Sequence, residues 1–311
     1  AALGRAEFLA NLGRVGVAIT GQTPAIAPAD GKIYALRDVT GTIESIPLIA
    51  ASVMSKKIAA GADKIVLDVK AGSGAFMKTA AAAAELAEAM VRIGEQAGRE
   101  TVAVISSMDE PLGRAVGNSL EVAEAIDVLA GRGNAPELRH LCLTLGAHML
   151  VLAGRAAAFD EGYARLAALL ESGASLAKFA EFVAAQGGDP AVVTRRDLLP
   201  LAVHQHTVPA PRSGFVTAID AARIGHSAMT LGAGREYKGQ EIDHGAGLIL
   251  RCRIGDRVEK GQPLAVLYAG DPAKLPAAAG ELAAAVSVGD APVARPPLIL
   301  GTVDKDGVRL A

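Results

Sequence analysis

The chain has 311 residues, 51% hydrophobic and 21% charged, so it can bury a sizeable core, and disorder is excluded as its main state. Lys and Arg number 31 against 33 Asp and Glu, a formal net charge of −2, which leaves no electrostatic footprint for nucleic acid or an anionic membrane. Aromatics are 3% and Trp is absent, which argues against a surface built to stack nucleic-acid bases.

In chain order, residues 4–18 read as a short helix running into a strand-like VGVAIT (15–20), and residues 21–32 as a Gly/Pro/Asp-rich loop. A helix is predicted from Ser45, a candidate cap with Pro47 in the first turn, to Gly61. KIVLDVK (64–70) is a β-branched run bounded by Gly and reads as a buried strand, followed by a Gly-rich loop, AGSGAF (71–76). Thr79 is positioned to cap an Ala-rich helix ending near Gly98, and TVAVISSM (101–108) reads as the next parallel strand. Strand, helix, strand in this order predicts an α/β sheet with helices on its faces.

Segments 118–130, 137–153, 160–172 and 175–186 carry apolar residues at helical spacing. From Val208 the pattern turns β-rich, through RSGFVTAID, GLILRCRIGDRV and GQPLAVLYA. A helix over 273–287 and a Pro-rich tail, ARPPLIL, close the chain. No apolar stretch is long enough to span a bilayer, and no basic-then-apolar signal opens the chain. Cys142 and Cys252 are far apart and make no metal-type pair, so a reducing cytoplasm is the expected compartment. The six histidines form no HExxH pattern, and His204 with His206 would share a strand face without a third ligand.

Three segments carry possible chemistry. On the helix from Ser45, Ile49, Ser52 and Lys56 are spaced by three and four and share a face, with Arg37 just upstream. From periodicity alone the plainer reading is favoured: a solvated Lys56 and a routine ion pair for Arg37. Asp68 and Lys70 share a face at the carboxyl end of a strand, where open α/β sheets bind ligands, or simply pair with each other. Gly72-Ser73-Gly74 is neither a Walker A loop nor a dinucleotide fingerprint and is equally readable as a tight turn. In PLGRAVGNSLEVAEAI (111–126) a Gly-containing loop leads to a helix capped by Asn118 or Ser119, on which Glu124 would normally be an exposed carboxylate.

YALRDVTGTIESIPLIAASVMSKK (34–57) closely resembles the thymidine and pyrimidine nucleoside phosphorylases, and LDVKAGSGAFM (67–77) resembles a second segment of the same family. Residues 254–269 resemble both the half-barrel of biotinyl and lipoyl domains and the C-terminal domain of these phosphorylases. A lysine-bearing attachment motif is missing, so a packing domain is expected there. The resemblance implies an α/β fold, a parallel or mixed sheet flanked by helices. To it are added part of a small helical domain and a C-terminal β-rich, barrel-sandwich-like α+β domain. The expected boundaries are 1–60 for the remainder of the helical domain, 61–200 for the α/β domain and 201–311 for the β-rich domain.

It further implies that Arg37, Ser52 and Lys56 hold a pyrimidine base, that Arg37 and Lys56 act catalytically, and that Ile49 and Phe76 line the base pocket. The implied reaction is phosphorolysis of a pyrimidine nucleoside in nucleoside salvage. Inorganic phosphate is the co-substrate and no organic cofactor is used. Phosphate attacks C1′, and cations aimed at the departing base stabilise its developing charge. K⁺ on the backbone carbonyls of Leu112 and Ala115 and the carboxylate of Glu124, and a homodimer of the full-length protein, are implied in the same way.

The family's upstream segments, KHSxGGVGDK and SGRGLxHTGGTxDK, which hold phosphate, do not occur in this sequence. Together with the missing initiator Met, this leads to the expectation that the sequence is a fragment of a longer phosphorylase. A non-catalytic base-binding fragment is the reading from another class; a thymidine-specific phosphorylase or an AMP phosphorylase is the enzymatic alternative.

Overall fold

The computed structural model of the protein describes residues 3–21, 27–42, 44–237 and 239–311. The chain opens with α1 (Arg5–Val15), α2 (Pro28–Thr40) and α3 (Ile46–Ala59). The expected VGVAIT strand is not formed. Gly16 takes φ +83 and its N–H closes the helix on Leu12 O. The residues beyond it have no strand to pair with. Their backbone bonds go instead to the Gln186 side chain, which accepts from Ile19 N at 3.2 Å and donates to Ile19 O at 2.8 Å. The loop expected over 21–32 is shorter than its composition suggests, because Pro28 opens α2 at a position where its missing N–H costs nothing. Residues 22–26 of that loop lie outside the described residues.

Next come β1 (Lys64–Ala71), α4 (Ala80–Gln96) and β2 (Glu100–Ser107), as the sequence predicts. β1 and β2 run parallel, with Asp68 opposite Val104 and Lys70 opposite Ser106. Alternation decides the two faces of β1: Ile65, Leu67, Val69 and Ala71 are buried against α3 and α4, in a core that includes Ile49, Met54, Leu86 and Met90. Ile65, Leu67 and Val69 each contribute about 1.5–3 kcal/mol when fully buried. Thr79 caps α4 through Oγ1, which accepts from Ala82 N at 3.2 Å. Ser45 sits at the N-cap of α3 but makes no side-chain cap bond.

β3 (Ala115–Gly117) leads into α5 (Asn118–Leu129), α6 (Pro136–Leu152), α7 (Phe159–Glu171) and α8 (Ala174–Ala185). The cap expected at Asn118 or Ser119 is displaced by one position to Gly117, and the Asn118 side chain donates to Ala233 O instead, at 2.9 Å. Then follow β4 (His204–Pro209), β5 (Gly214–Ile219), α9 (Ala221–Ala228), β6 (Gly247–Leu250), β7 (Arg257–Val258), β8 (Pro263–Ala269), α10 (Leu275–Ala285) and β9 (Val286–Gly289). They form two antiparallel sheets, ordered β3-β6-β8-β4 and β7-β5-β9, around a second core of Leu248, Leu250, Leu264, Leu267 and Leu282.

The tail beyond the prolines is not loop. β10 (Ile299–Asp304) and β11 (Gly307–Leu310) form a hairpin, and β10 lies antiparallel against β2. The first sheet is therefore mixed, ordered β1-β2-β10-β11, and Val303 joins its core. Chain segments far apart in sequence are exchanged between the two sheet systems: β3 pairs with β6, and β10 returns to β2.

Candidate active site

Two helices supply the first group of residues. Arg37, in the last turn of α2, is 5% exposed. Its Nη1 donates to Leu48 O at 3.2 Å, its Nε to Thr42 O at 3.4 Å, and its guanidinium lies 5.8 Å from the Tyr34 ring centroid. The guanidinium thus ties the end of α2 to the start of α3. On α3, Lys56 Nζ donates to Ser52 Oγ at 2.9 Å and pairs with Asp30 Oδ2 at 3.0 Å. Ser52 and Asp30 are buried, while the Lys56 side chain keeps 27% exposure. The Ser52 hydroxyl accepts from Lys56, and among the described residues its own O–H meets no acceptor. Burial and, second, the neighbouring Lys56 ammonium push the Lys57 pKa below its ordinary value. Lys56 thus stands between the Asp30 carboxylate and the Ser52 hydroxyl, with the Lys57 ammonium near enough to be felt.

A cavity of about 630 Å³ adjoins α3 and opens along the carboxyl end of β1. Ile49, Val53, Phe76, Asp68 and Lys70 are among the residues around it. Ile49 is buried, whereas Phe76 is 57% exposed at the cavity's rim. Two of the five residues expected at the base pocket, Ile49 and Phe76, therefore come together here. Arg37, Ser52 and Lys56 do not line this cavity; Ser52 and Lys56 follow Ile49 along the same stripe of α3, one and two turns further on.

Asp68, Lys70 and Ser106 form a closed triangle. Lys70 Nζ lies 2.7 Å from Asp68 Oδ2 and donates to Ser106 Oγ at 2.9 Å, and Ser106 Oγ donates to Asp68 Oδ1 at 2.5 Å. The Gly-rich loop after β1 is a shaped turn. Gly72 has φ +127, and a Cβ there would sit 2.5 Å from Asp109 Oδ1.

Of the residues expected to bind a cation, Leu112 precedes β3, Ala115 opens β3 and Glu124 lies in α5. Glu124 Oε1 accepts from Arg114 N at 2.8 Å and from Ala115 N at 3.3 Å. Its Oε2 lies against Gly113, 1.9 Å from where a Cβ would be, so a side chain there would displace the carboxylate. Leu112 O is engaged by Arg253 Nη2 at 2.8 Å, and Pro111 O accepts from Arg253 Nη1. Arg253 is 1% exposed and lies 3.8 Å from both Glu110 and Glu137. Burial, chiefly, raises the Glu110 pKa and lowers that of Arg253. Glu124 Oε1 is thus engaged by two backbone N–H groups, and a guanidinium occupies one face of the Leu112 carbonyl. Among the described residues no group of three or more His, Cys, Asp or Glu is placed to hold a metal ion.

Sequence reasoning missed Asp30, Ser106 and Asp109. Asp30 fell in a stretch read as loop. Ser106 and Asp109 become partners of Lys70 and Ser73 only through strand pairing, which puts residues 36 positions apart side by side.

The architecture is that of an α/β domain joined to a β-rich C-terminal domain. The profile described as "Glycosyl transferase family, a/b domain" matches residues 3–176, and that of the "Pyrimidine nucleoside phosphorylase C-terminal domain" matches residues 215–289. The chain belongs to this glycosyl transferase family, in its pyrimidine nucleoside phosphorylase branch. It is 56% identical over 263 residues to a pyrimidine-nucleoside phosphorylase of Bacillus subtilis (strain 168), covering 85% of this chain and 60% of the relative. It is 52% identical, over the same shares, to the enzymes of that name from Staphylococcus aureus strains bovine RF122 / ET3-1 and USA300. The chain thus spans about 60% of the length of the curated relatives it matches. No helix among the described residues is long and apolar enough to cross a membrane.

Proposed function

We propose that the polypeptide carrying this chain is a pyrimidine nucleoside phosphorylase, converting a pyrimidine nucleoside and inorganic phosphate to the free base and a pentose 1-phosphate. The observation that carries the proposal is the pairing of Lys56 Nζ with Ser52 Oγ on the same stripe of α3 as Ile49, which with Phe76 walls the adjoining cavity. A phosphate oxygen bonds to C1′ as the C1′–N bond breaks, and the electron pair leaves on the base. Arg37 and Lys56 stabilise that charge where it develops; Ser52 positions the ring; Ile49 and Phe76 cover its apolar surface. Phosphate is a co-substrate, and no organic cofactor enters this scheme.

A homodimer of the full-length protein in the cytoplasm, where Cys142 and Cys252 stay as the free thiols they are, completes the proposal. The proposal includes a monovalent cation such as K⁺ near Leu112, Ala115 and Glu124, which the hydrogen bonds from Arg114 N and Ala115 N to Glu124 gather at the start of β3, with Arg253 competing for the Leu112 carbonyl. The test is release of uracil or thymine from uridine or thymidine, with and without phosphate, by the full-length polypeptide. Release that does not depend on phosphate, or no release with soluble folded protein, overturns the reading. Replacing KCl by tetramethylammonium chloride in the same assay tests the cation: an unchanged rate removes it.

A further inference from the structure

Ser73 is the meeting point of three segments that are remote in sequence. Its N–H donates to Asp109 Oδ1 at 3.1 Å, its Oγ donates to Asp109 O at 3.1 Å, and the same Oγ accepts from Ala221 N at 3.1 Å. Ala221 opens α9, a helix of the β-rich part of the chain, and Asp220 caps that helix through Arg223 N. The fit is close: a Cβ on Gly74 would lie 2.8 Å from Ala221 Cβ and 3.0 Å from Met108 Cγ. Gly74 N donates to Met108 O at 2.9 Å, so the loop is pinned from the β2 side as well.

Three residues after Ser73 stands Phe76, a wall of the cavity, and beside Ala221 stands Ala222, which lines the same cavity. Ser73 itself borders that cavity and a second one of about 640 Å³ on the other side of the junction, next to Asp109, Asp220 and Arg223. The single hydroxyl uses both its donor and its acceptor capacity to bind the Gly-rich loop, the segment after β2 and α9 into one unit.

We propose that Ser73 is a positioning residue for base recognition and that Ala222, held by it, is a size-determining residue contributed to the cavity by the β-rich domain. The inference rests on the proposed function for what the cavity binds, while the junction itself stands on geometry alone. A Ser73→Ala chain keeps the fold but releases the first turn of α9 and the Phe76 loop. The nucleoside's KM rises about three- to tenfold, the scale of one lost hydrogen bond, with kcat little changed, because Ser73 does not touch the reacting atoms. Ala222→Leu raises KM by narrowing the cavity without loosening the junction.

The experiment has two readouts on the full-length protein. Amide hydrogen exchange, read residue by residue, follows the Ala221 and Ser73 N–H groups without any substrate. Both should exchange at least about tenfold faster in Ser73→Ala, with β1 and β2 unchanged and Ala222→Leu like wild type. Steady-state phosphorolysis of uridine then gives KM and kcat for wild type, Ser73→Ala, Ser73→Thr and Ala222→Leu, with Ser73→Thr expected to restore KM. Unchanged exchange at Ala221, or unchanged KM in both Ser73→Ala and Ala222→Leu, overturns the inference. A wild type that exchanges as described but neither binds uracil nor turns over overturns the proposed function instead, and with it Ala222's role in base recognition.

Discussion

The molecule contains the same three chemical groups, a carboxylate, an ammonium and a hydroxyl, assembled twice, with opposite results. In the β1–β2 set, Asp68, Lys70 and Ser106 close a triangle in which the fully buried serine both donates and accepts. In the α2–α3 set, Lys56 bridges Asp30 and Ser52, but among the described residues the Ser52 O–H meets no acceptor, and the Lys57 ammonium stands near that of Lys56. A closed set satisfies itself and stabilises the sheet. An open set has bonding capacity left for a ligand. Composition does not distinguish the two; the pattern of donors and acceptors does.

The sharpest way to break this comparison is Lys56→Ala in the full-length protein. It should lower kcat/KM for uridine about 10²–10³-fold, as loss of a group that stabilises developing charge does. A rate near wild type would make the open set as structural as the closed one. Ser106→Ala should do the converse. It leaves Asp68 and Lys70 each short of a partner and should cost about 1–3 kcal/mol in urea-monitored stability, with kcat/KM changed less than about threefold. A large activity loss at full stability would move the triangle into the chemistry.

The smallest effect is in pH dependence. Burial and Lys56 hold the Lys57 pKa down in the folded state, so the unfolded chain binds that proton more tightly. The cost is present in full below the folded value. It fades as pH rises through the folded value towards the ordinary lysine value, so stability should climb over that alkaline window. Lys57→Met should abolish the climb, and Lys56→Met should reduce it by removing the second cause. A climb that is unaltered in Lys57→Met assigns it elsewhere.

The parts of the fold that the sequence displays are those governed by local rules. β1, α4 and β2 follow from alternation, a Thr79 cap and an Ala-rich helix, and the long helices after Asn118 follow from their spacing. The parts it hides depend on distant partners. VGVAIT has strand composition but no strand beside it, and Gln186 takes its place. Residues 299–310 lie behind three prolines, Pro292, Pro296 and Pro297, yet form a hairpin because β2 offers an unpaired edge. The candidate site divides in the same way. The stripe of Ile49, Ser52 and Lys56 is legible on one helix, whereas Asp30 as the partner of Lys56, and Ser73 as a junction with Ala221, require the folded chain.

The proposed role of the Arg37–Ser52–Lys56 group, to receive the charge of a departing pyrimidine, is tested most directly by comparing wild type, Arg37→Ala and Lys56→Ala for uracil formed from uridine at saturating phosphate in the full-length protein. Wild type should give phosphate-dependent uracil and ribose 1-phosphate in equal amounts, with kcat/KM reduced about 10²-fold or more in each variant. Variants that are folded and turn over as wild type does would contradict it.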